Sequence, residues 1–314
     1  MIVAVTGGTG FIGKRLVARH TADGDTVRLL TRRPSAEVAA MGSVELHRGD
    51  LAAGTADLGP FVDGADVLYH CAGEVRDPAR MRALHVDGTR KLAAAAAGRI
   101  GRWVQLSSVG AYGACRDGVV TEETPLSPEG TYECTKAESD GLVTEAAADG
   151  AFGLTILRPS NVFGSDMPNR SLLAMISMIE RGLFFFIGKP GAVASYVHVD
   201  GVIEALVRCG HLAEACGRTY NLSERRTLEQ FVAAIADALG KHPPTARLPE
   251  APVRLAAKVF GKIPGVPLTE SRVSALVNRT VYPDTRIRSE LRYVHPVSIE
   301  EGLRRLVRER KRPA

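Results

Sequence analysis

Apolar residues fall in short runs separated by polar helix-like stretches, and the runs are of strand length. Ile2-Val3-Ala4-Val5 is rich in β-branched residues and is followed by a glycine turn and then Lys14-Arg15-Leu16-Val17-Ala18-Arg19-His20, which has helical composition. Further strand-like runs stand at Val27-Arg28-Leu29-Leu30, Val44-Glu45-Leu46, Val67-Leu68-Tyr69-His70, Trp103-Val104-Gln105-Leu106-Ser107 and Leu154-Thr155-Ile156-Leu157. Between them lie helix-like stretches, among them the alanine-rich Leu92 to Ala97 and the segment after Tyr132. Strand and helix in alternation imply right-handed crossovers and an α/β fold, a doubly wound parallel sheet of Rossmann type.

The pattern loosens past Gly164. A helix is expected around Met175, Ile176, Ile179 and Leu183, a strand and helix over Tyr196 to Cys209, a strand at Thr219-Tyr220-Asn221-Leu222, and an apolar helix from Val253 to Phe260 in a proline-rich stretch. This predicts a main domain over 1–163, with returns to its sheet near 195–223, and a smaller interleaved lobe over 164–314.

The turn after the first strand is Thr6-Gly7-Gly8-Thr9-Gly10-Phe11-Ile12-Gly13, in which Gly8-x-Gly10-x-x-Gly13 has the dinucleotide spacing. Glycines there allow a tight turn, let backbone N–H groups approach a pyrophosphate, and let the helix pack closely on the sheet. The candidate cofactor contacts of this turn are Gly7, Thr9, Gly10, Phe11, Ile12 and Gly13. The second strand ends in Thr31-Arg32-Arg33-Pro34, where an NAD site would carry an acidic residue for the ribose diol. Guanidinium groups at Arg32 and Arg33 suit a 2′-phosphate, so NADP(H) is expected in preference to NAD(H).

Tyr132 and Lys136 are four positions apart, one turn if the segment is helical, and a neighbouring ammonium is expected to lower the phenol's pKa for proton transfer. Cys134, between them, would point away from Tyr132 and is expected to pack in the core or at an interface. The five cysteines have no C-x-x-C spacing, which argues against a disulfide framework or a zinc site. No metal is expected.

With 314 residues, 45% of them hydrophobic, the chain is long enough for a substantial core. No apolar run reaches membrane-spanning length, and the first strand lacks the basic flank of a signal peptide, so a soluble cytoplasmic protein is expected. The net charge of +5 comes partly from the tail Arg304 to Arg312, read as a frayed solvated helix end. No aromatic-interleaved basic patch points to nucleic acid.

These pieces together resemble the extended short-chain dehydrogenase/reductase family, in its branch of nucleotide-sugar epimerases, dehydratases and ketoreductases. The motifs that carry the resemblance include Gly49-Asp50-Leu51, His70-Cys71-Ala72-Gly73, Leu106-Ser107-Ser108-Val109-Gly110-Ala111-Tyr112-Gly113, Tyr132-x-x-x-Lys136, Leu157-Arg158-Pro159-Ser160-Asn161-Val162 and Tyr196-Val197-His198-Val199-Asp200. The resemblance implies that Asp50 and Leu51 meet the adenine, that Cys71, Ala72 and Gly73 form a loop over the pyrophosphate and ribose, and that Pro159 to Val162 lie beside the nicotinamide. Ser108, with Ser107 as the alternative, would hold a substrate carbonyl beside Tyr132. Tyr132 would pass the proton, and Lys136 would fix the ribose and keep the tyrosine acidic.

The family's Asn-Val-x-Gly-Thr stands here as His85-Val86-Asp87-Gly88-Thr89, and no proton-transfer role is assigned to His85. Arg32 and Arg33 disfavour an NAD-retaining epimerase, and Val109 after Ser108 disfavours a dehydratase. The first expectation is therefore a ketoreductase acting on a nucleoside-diphosphate keto sugar, with Asn161, Arg170, Lys189, Arg272 and Arg279 as candidate substrate contacts. Val193-Ala194-Ser195-Tyr196 replaces the family's Arg-Asp-Phe or Arg-Asp-Tyr, which leaves room for a sterol-like or other hydrophobic ketone in a pocket lined by Phe184 to Phe186. A non-catalytic dinucleotide sensor is the remaining alternative. By the same resemblance, the helices around Leu92 to Ala97 and Tyr132 to Ala148 pair two copies into a homodimer.

Overall fold

In a computed structural model, residues 1–32, 44–260 and 269–311 are described. Arg33 therefore lies outside the described residues. Seven parallel strands make the central sheet: β1 (Ile2–Thr6), β2 (Thr26–Thr31), β3 (Val44–Arg48), β4 (Ala65–His70), β5 (Ile100–Leu106), β6 (Gly153–Pro159) and β10 (Arg218–Leu222). Their order is β10-β6-β5-β4-β1-β2-β3, so the chain reverses direction across the sheet between β1 and β4. Such a reversal leaves a crevice at the carboxyl ends of the strands.

Strand alternation explains why both faces are covered. Val3 and Val5 of β1 join a core cluster with Leu16, Val17 and Leu206, whereas Ala4 joins the opposite cluster with Leu68, Leu92 and Trp103. Burying both faces requires runs that are largely apolar, and this is why the central strands read as nearly continuous hydrophobic segments, unlike the edge strand β3.

Three further strands, β7 (Asn161–Phe163), β9 (Val193–His198) and β11 (Glu224–Thr227), form a separate sheet in the order β11-β9-β7. β8 (Phe186–Ile187) pairs with β12 (Arg247–Leu248). The return to the main sheet expected near 195–223 is thus made by β10, beside β6, while β9 belongs to the smaller sheet. That lobe has its own core, in which Leu172, Ile176, Phe231, Ile235, Leu303 and Leu306 meet.

The basic C-terminal stretch differs from the expected frayed end. It forms the helix Ile299–Arg310, which buries Leu303, Leu306 and Val307, and its Arg310 reaches Ser177 Oγ at 2.8 Å. The apolar positions three and four apart dock the helix and leave the arginines on its outer side. Among the described residues, no helix is long and apolar enough to cross a membrane.

Candidate active site

At the end of β1 the chain turns at Gly7 with φ of +69°, a conformation that L side chains rarely adopt. A Cβ at Gly7 would stand 2.6 Å from the Ala72 amide nitrogen, and one at Gly13 would stand 2.2 Å from the Gly7 carbonyl oxygen. The glycines therefore let the loops after β1 and β4 touch and the helix Gly13–Ala22 close on the turn. That helix has no acidic residue in its first turn, so its positive end faces the crevice without a built-in counter-charge.

A cavity of about 1120 Å³ opens there, walled by Gly7, Thr9, Gly10, Arg32, Asp50, Leu51, Cys71, Ala72 and Gly73 among others. Nine of the expected cofactor residues thus converge. Phe11, Ile12, Gly13, Pro159 and Val162 stand outside its walls: Phe11 and Ile12 pack against the two cores, Val162 against the main one, and Pro159 ends β6. A glycine cradle without side chains, a helix N-terminus and a long crevice fit a dinucleotide.

Sequence reasoning missed two cations on this cavity, Arg48 and Arg80. Arg48 ends β3 in register with Thr31, and Arg80 comes from the short helix Pro78–Arg82. Asp50 holds Arg80 at 3.6 Å and Arg32 at 4.0 Å. The only signal for Arg48 was its place at the end of a weakly apolar strand; Arg80 carried none, because it enters from a helix distant in sequence.

The helix Thr131–Ala148 places Tyr132 and Lys136 one turn apart. Ser108 precedes the 3₁₀ turn Val109–Tyr112 and accepts the Gly110 N–H at 3.0 Å, which fixes its side chain. Its hydroxyl also stands close enough to the Tyr132 phenol to favour its ionisation. Ser107 lies on the other side of the chain, buried and donating to Asp140 at 2.7 Å. Alternation at the strand end thus separates the two serines.

Lys136 is buried and donates from Nζ to the Leu106 carbonyl at 2.5 Å. Burial lowers its pKa, against the pull of the Asp140 carboxylate. The phenol of Tyr132 is pushed up to about 12, first by burial and then by the Glu133 carboxylate, while the Ser108 hydroxyl pulls it down. This corrects the expected acidification by Lys136: in a poorly solvated site, desolvation of the phenolate outweighs a cation that is turned toward a carbonyl. Cys71, a wall of the cavity, stands close enough to Lys136 for each to shift the other's ionisation, so the two halves of the site adjoin.

Buried polar chains hold these groups from behind. Asp140 accepts Ser107 and both Nε and Nη2 of Arg158, at 3.3 and 3.1 Å, and Arg158 stacks 4.9 Å over Tyr112. His70 bridges Thr6 at 2.7 Å and Thr89 at 2.9 Å, and Thr89 meets Ser139 on the tyrosine-bearing helix. Cys134, expected to pack in the core or at an interface, is exposed and so is not a core residue of this chain, because its position on the helix faces outward.

The substrate candidates are divided. Lys189 and Arg279 meet at a cavity of about 390 Å³ with Glu250 and Val277, where Arg279 Nη2 donates to the Lys189 and Pro190 carbonyls. Arg170 and Arg272 are exposed on the helices Arg170–Glu180 and Glu270–Val277 and are not walls of that cavity. Asn161 donates to the Ser195 carbonyl at 3.1 Å, which ties β7 to β9. Phe184 and Phe186 are buried in the lobe core, edge to face at 5.3 Å, so they are packing residues and not a pocket lining.

A parallel sheet of this order, a glycine cradle and a Ser-Tyr-Lys cluster define a dinucleotide-binding oxidoreductase. Residues 3–223 match the model of the NAD dependent epimerase/dehydratase family, and the chain belongs to that family. It is 28% identical, over 95% of its length and 93% of the relative's, to the 4-hydroxy-2-methyl-3-oxo-4-farnesyl-3,4-dihydroquinoline-1-oxide ketoreductase of Stigmatella aurantiaca. It is 35% identical to the dTDP-6-deoxy-L-talose 4-dehydrogenase (NAD(P)(+)) of Kitasatospora kifunensis, over 56% of this chain and 57% of that one. The fold is similar to that of UDP-glucuronic acid 4-epimerase from Bacillus cereus, solved in complex with NAD, with a TM-score of 0.76, 18% identity, and 98% and 96% of the two chains covered.

Proposed function

We propose that the protein is an NADP(H)-dependent ketoreductase, with Ser108, Tyr132 and Lys136 as its reacting site. The carrying observation is that the Ser108 hydroxyl and the Tyr132 phenol stand close enough to act on one another, with Lys136 one turn on and next to the cavity wall at Cys71. Two hydroxyls so placed hold one carbonyl oxygen, and a phenol kept protonated at neutral pH is a donor ready for the oxygen as it gains charge. When bound, the cofactor supplies the hydride. The glycine turn, Asp50, Leu51 and the loop Cys71–Gly73 hold the dinucleotide, and Arg32 with Arg48 and Arg80 supply the charge that a 2′-phosphate needs.

The substrate this reading favours is a hydrophobic ring ketone. A relative that spans nearly all of the chain, C-terminal lobe included, is a reductase of a farnesylated quinoline oxide, whereas the sugar dehydrogenase is similar over little more than half. The replacement of the Arg-Asp aromatic motif by Val193-Ala194-Ser195-Tyr196 within β9 agrees with this. A second reading, a nucleoside-diphosphate keto sugar, is supported by the meeting of Lys189 and Arg279 at one cavity. The small residues of Thr89–Ala96 and Thr131–Ala148, which pack together, suit the pairing of two copies into a dimer.

The test is loss of NADPH absorbance, beside NADH, with prenylated quinolones, ketosteroids and nucleoside-diphosphate keto sugars. Turnover of the apolar ketones alone is expected. Turnover of the sugars alone selects the second reading, and activity undiminished in Tyr132→Phe overturns the site.

A further inference from the structure

His85 lies in a π-helical turn, Ala83–Gly88, and is 1% exposed. Single π turns inside helices recur at functional sites. Its Nε2 faces the Glu74 backbone N–H at 2.8 Å, and its Nδ1 faces Thr135 Oγ1 at 2.8 Å. A backbone N–H can only donate, so Nε2 carries no proton and the ring proton sits on Nδ1. Nδ1–H then donates to Thr135, whose own hydroxyl proton goes to the Thr131 or Tyr132 carbonyl, at 2.9 and 3.1 Å. Every proton in this chain has one direction.

The chain joins two parts of the site. At one end is Glu74, which walls the cofactor cavity and whose carboxylate gathers the N–H groups of Val75, Arg76 and Asp77. At the other end is the first turn of the tyrosine-bearing helix. Between them the imidazole stands edge-on to the Tyr132 ring, with centroids 5.7 Å apart and an interplanar angle of 80°.

We propose that His85, held as the neutral Nδ1–H tautomer, is a positioning residue that fixes the Tyr132 ring relative to the cofactor-side loop Gly73–Glu74. It rests on the reading of Tyr132 as the proton donor. A charged imidazole would put a second N–H against that of Glu74, and burial with the nearby Lys136 does hold its pKa down, to about 4. The family's amide at this position also carries one acceptor and one donor. A ring of greater reach here retains that polarity and adds an aromatic contact at right angles to the phenol ring.

The test has two parts. In the full chain at neutral pH, imidazole ¹⁵N shifts should show His85 protonated at Nδ1 alone; protonation at Nε2, or an imidazolium, overturns the proposal. His85→Phe keeps the ring and loses both bonds. It should speed hydrogen exchange at the Glu74 amide, weaken NADPH binding and cut kcat by about tenfold or more, the scale of a lost buried hydrogen bond. His85→Gln, with an acceptor and a donor, should recover most of each. Wild-type behaviour in His85→Phe, or an equal loss in both variants, overturns it. Undiminished turnover in Tyr132→Phe would instead remove the parent reading, while the tautomer and exchange results would still decide what His85 holds.

Discussion

The Ser107 hydroxyl donates to the buried Asp140 carboxylate, while its neighbour Ser108 turns to the Tyr132 phenol. One residue of strand alternation thus sends the two hydroxyls to different partners. Ser108→Ala should lower kcat by about 10² or more, in the range of positioned acid–base groups, with cofactor affinity unchanged. Ser107→Ala should cost about 1–3 kcal/mol of stability through the bond it takes from Asp140, and leave turnover near wild type. Steady-state kinetics beside denaturant unfolding separates the two. Equal kinetic losses would show that the serines were wrongly divided.

Asp140 and Arg158 are both nearly fully buried, at 2% and 6% exposure, and bonded to each other. Removing one member of such a pair leaves the other charge without compensation, which typically costs about 3–5 kcal/mol. Asp140→Asn should therefore shift the unfolding midpoint strongly. It should also lower the pKa of Lys136 further, since Asp140 is the stronger of the two groups that raise it. A midpoint close to wild type would mean that Arg158 finds another partner.

Much of this organisation was legible in the chain because it depends on local rules. The strand–glycine–helix turn, the seven main strands and the Tyr132 to Lys136 spacing follow from periodicity and positive-φ chemistry that a single segment expresses. What stayed hidden depends on contacts between distant segments. Arg80 reaches the cofactor cavity from a helix about 30 residues beyond Asp50, and nothing around it marks that destination. Phe184 and Phe186 looked like a pocket lining because an apolar run does not say whether it faces a cavity or a core. The elevated phenol of Tyr132 was missed for the same reason, since burial is a property of the assembled site.

Two buried histidines contribute to the acid sensitivity of the fold. His70 is lowered to about 3 by burial and the Lys136 charge, and His85 to about 4 by the same two causes. In the unfolded chain both protonate near 6.5. Folded-state values below the unfolded one mean that the stability is fully present above about pH 6.5 and is lost as pH falls toward 4 and then 3. Denaturant midpoints measured from pH 7 down to 4 should fall steadily, and His85→Gln should flatten part of that slope. A flat profile in the wild type would show that one or both rings are already charged in the folded protein.

Cofactor choice follows from the charges around Asp50. Arg32, Arg48 and Arg80 bring three guanidinium groups to the cavity, with Asp50 close to two of them, so this end of it carries an excess of positive charge. A charge-assisted hydrogen bond contributes about 1.5–3 kcal/mol, so losing one to a 2′-phosphate amounts to roughly tenfold or more in affinity. Arg80→Ala and Arg32→Ala should each weaken NADPH binding by that factor and leave NADH nearly unchanged, measured by nucleotide fluorescence titration. Gly7→Ala is the contrasting variant: with φ of +69° and a Cβ 2.6 Å from the Ala72 nitrogen, it should abolish binding of both nucleotides. If Arg80→Ala weakens both nucleotides equally, its guanidinium serves the pyrophosphate, which NAD and NADP share. If the wild type binds NADH more tightly than NADPH, the three arginines do not select for the 2′-phosphate and the preference reverses.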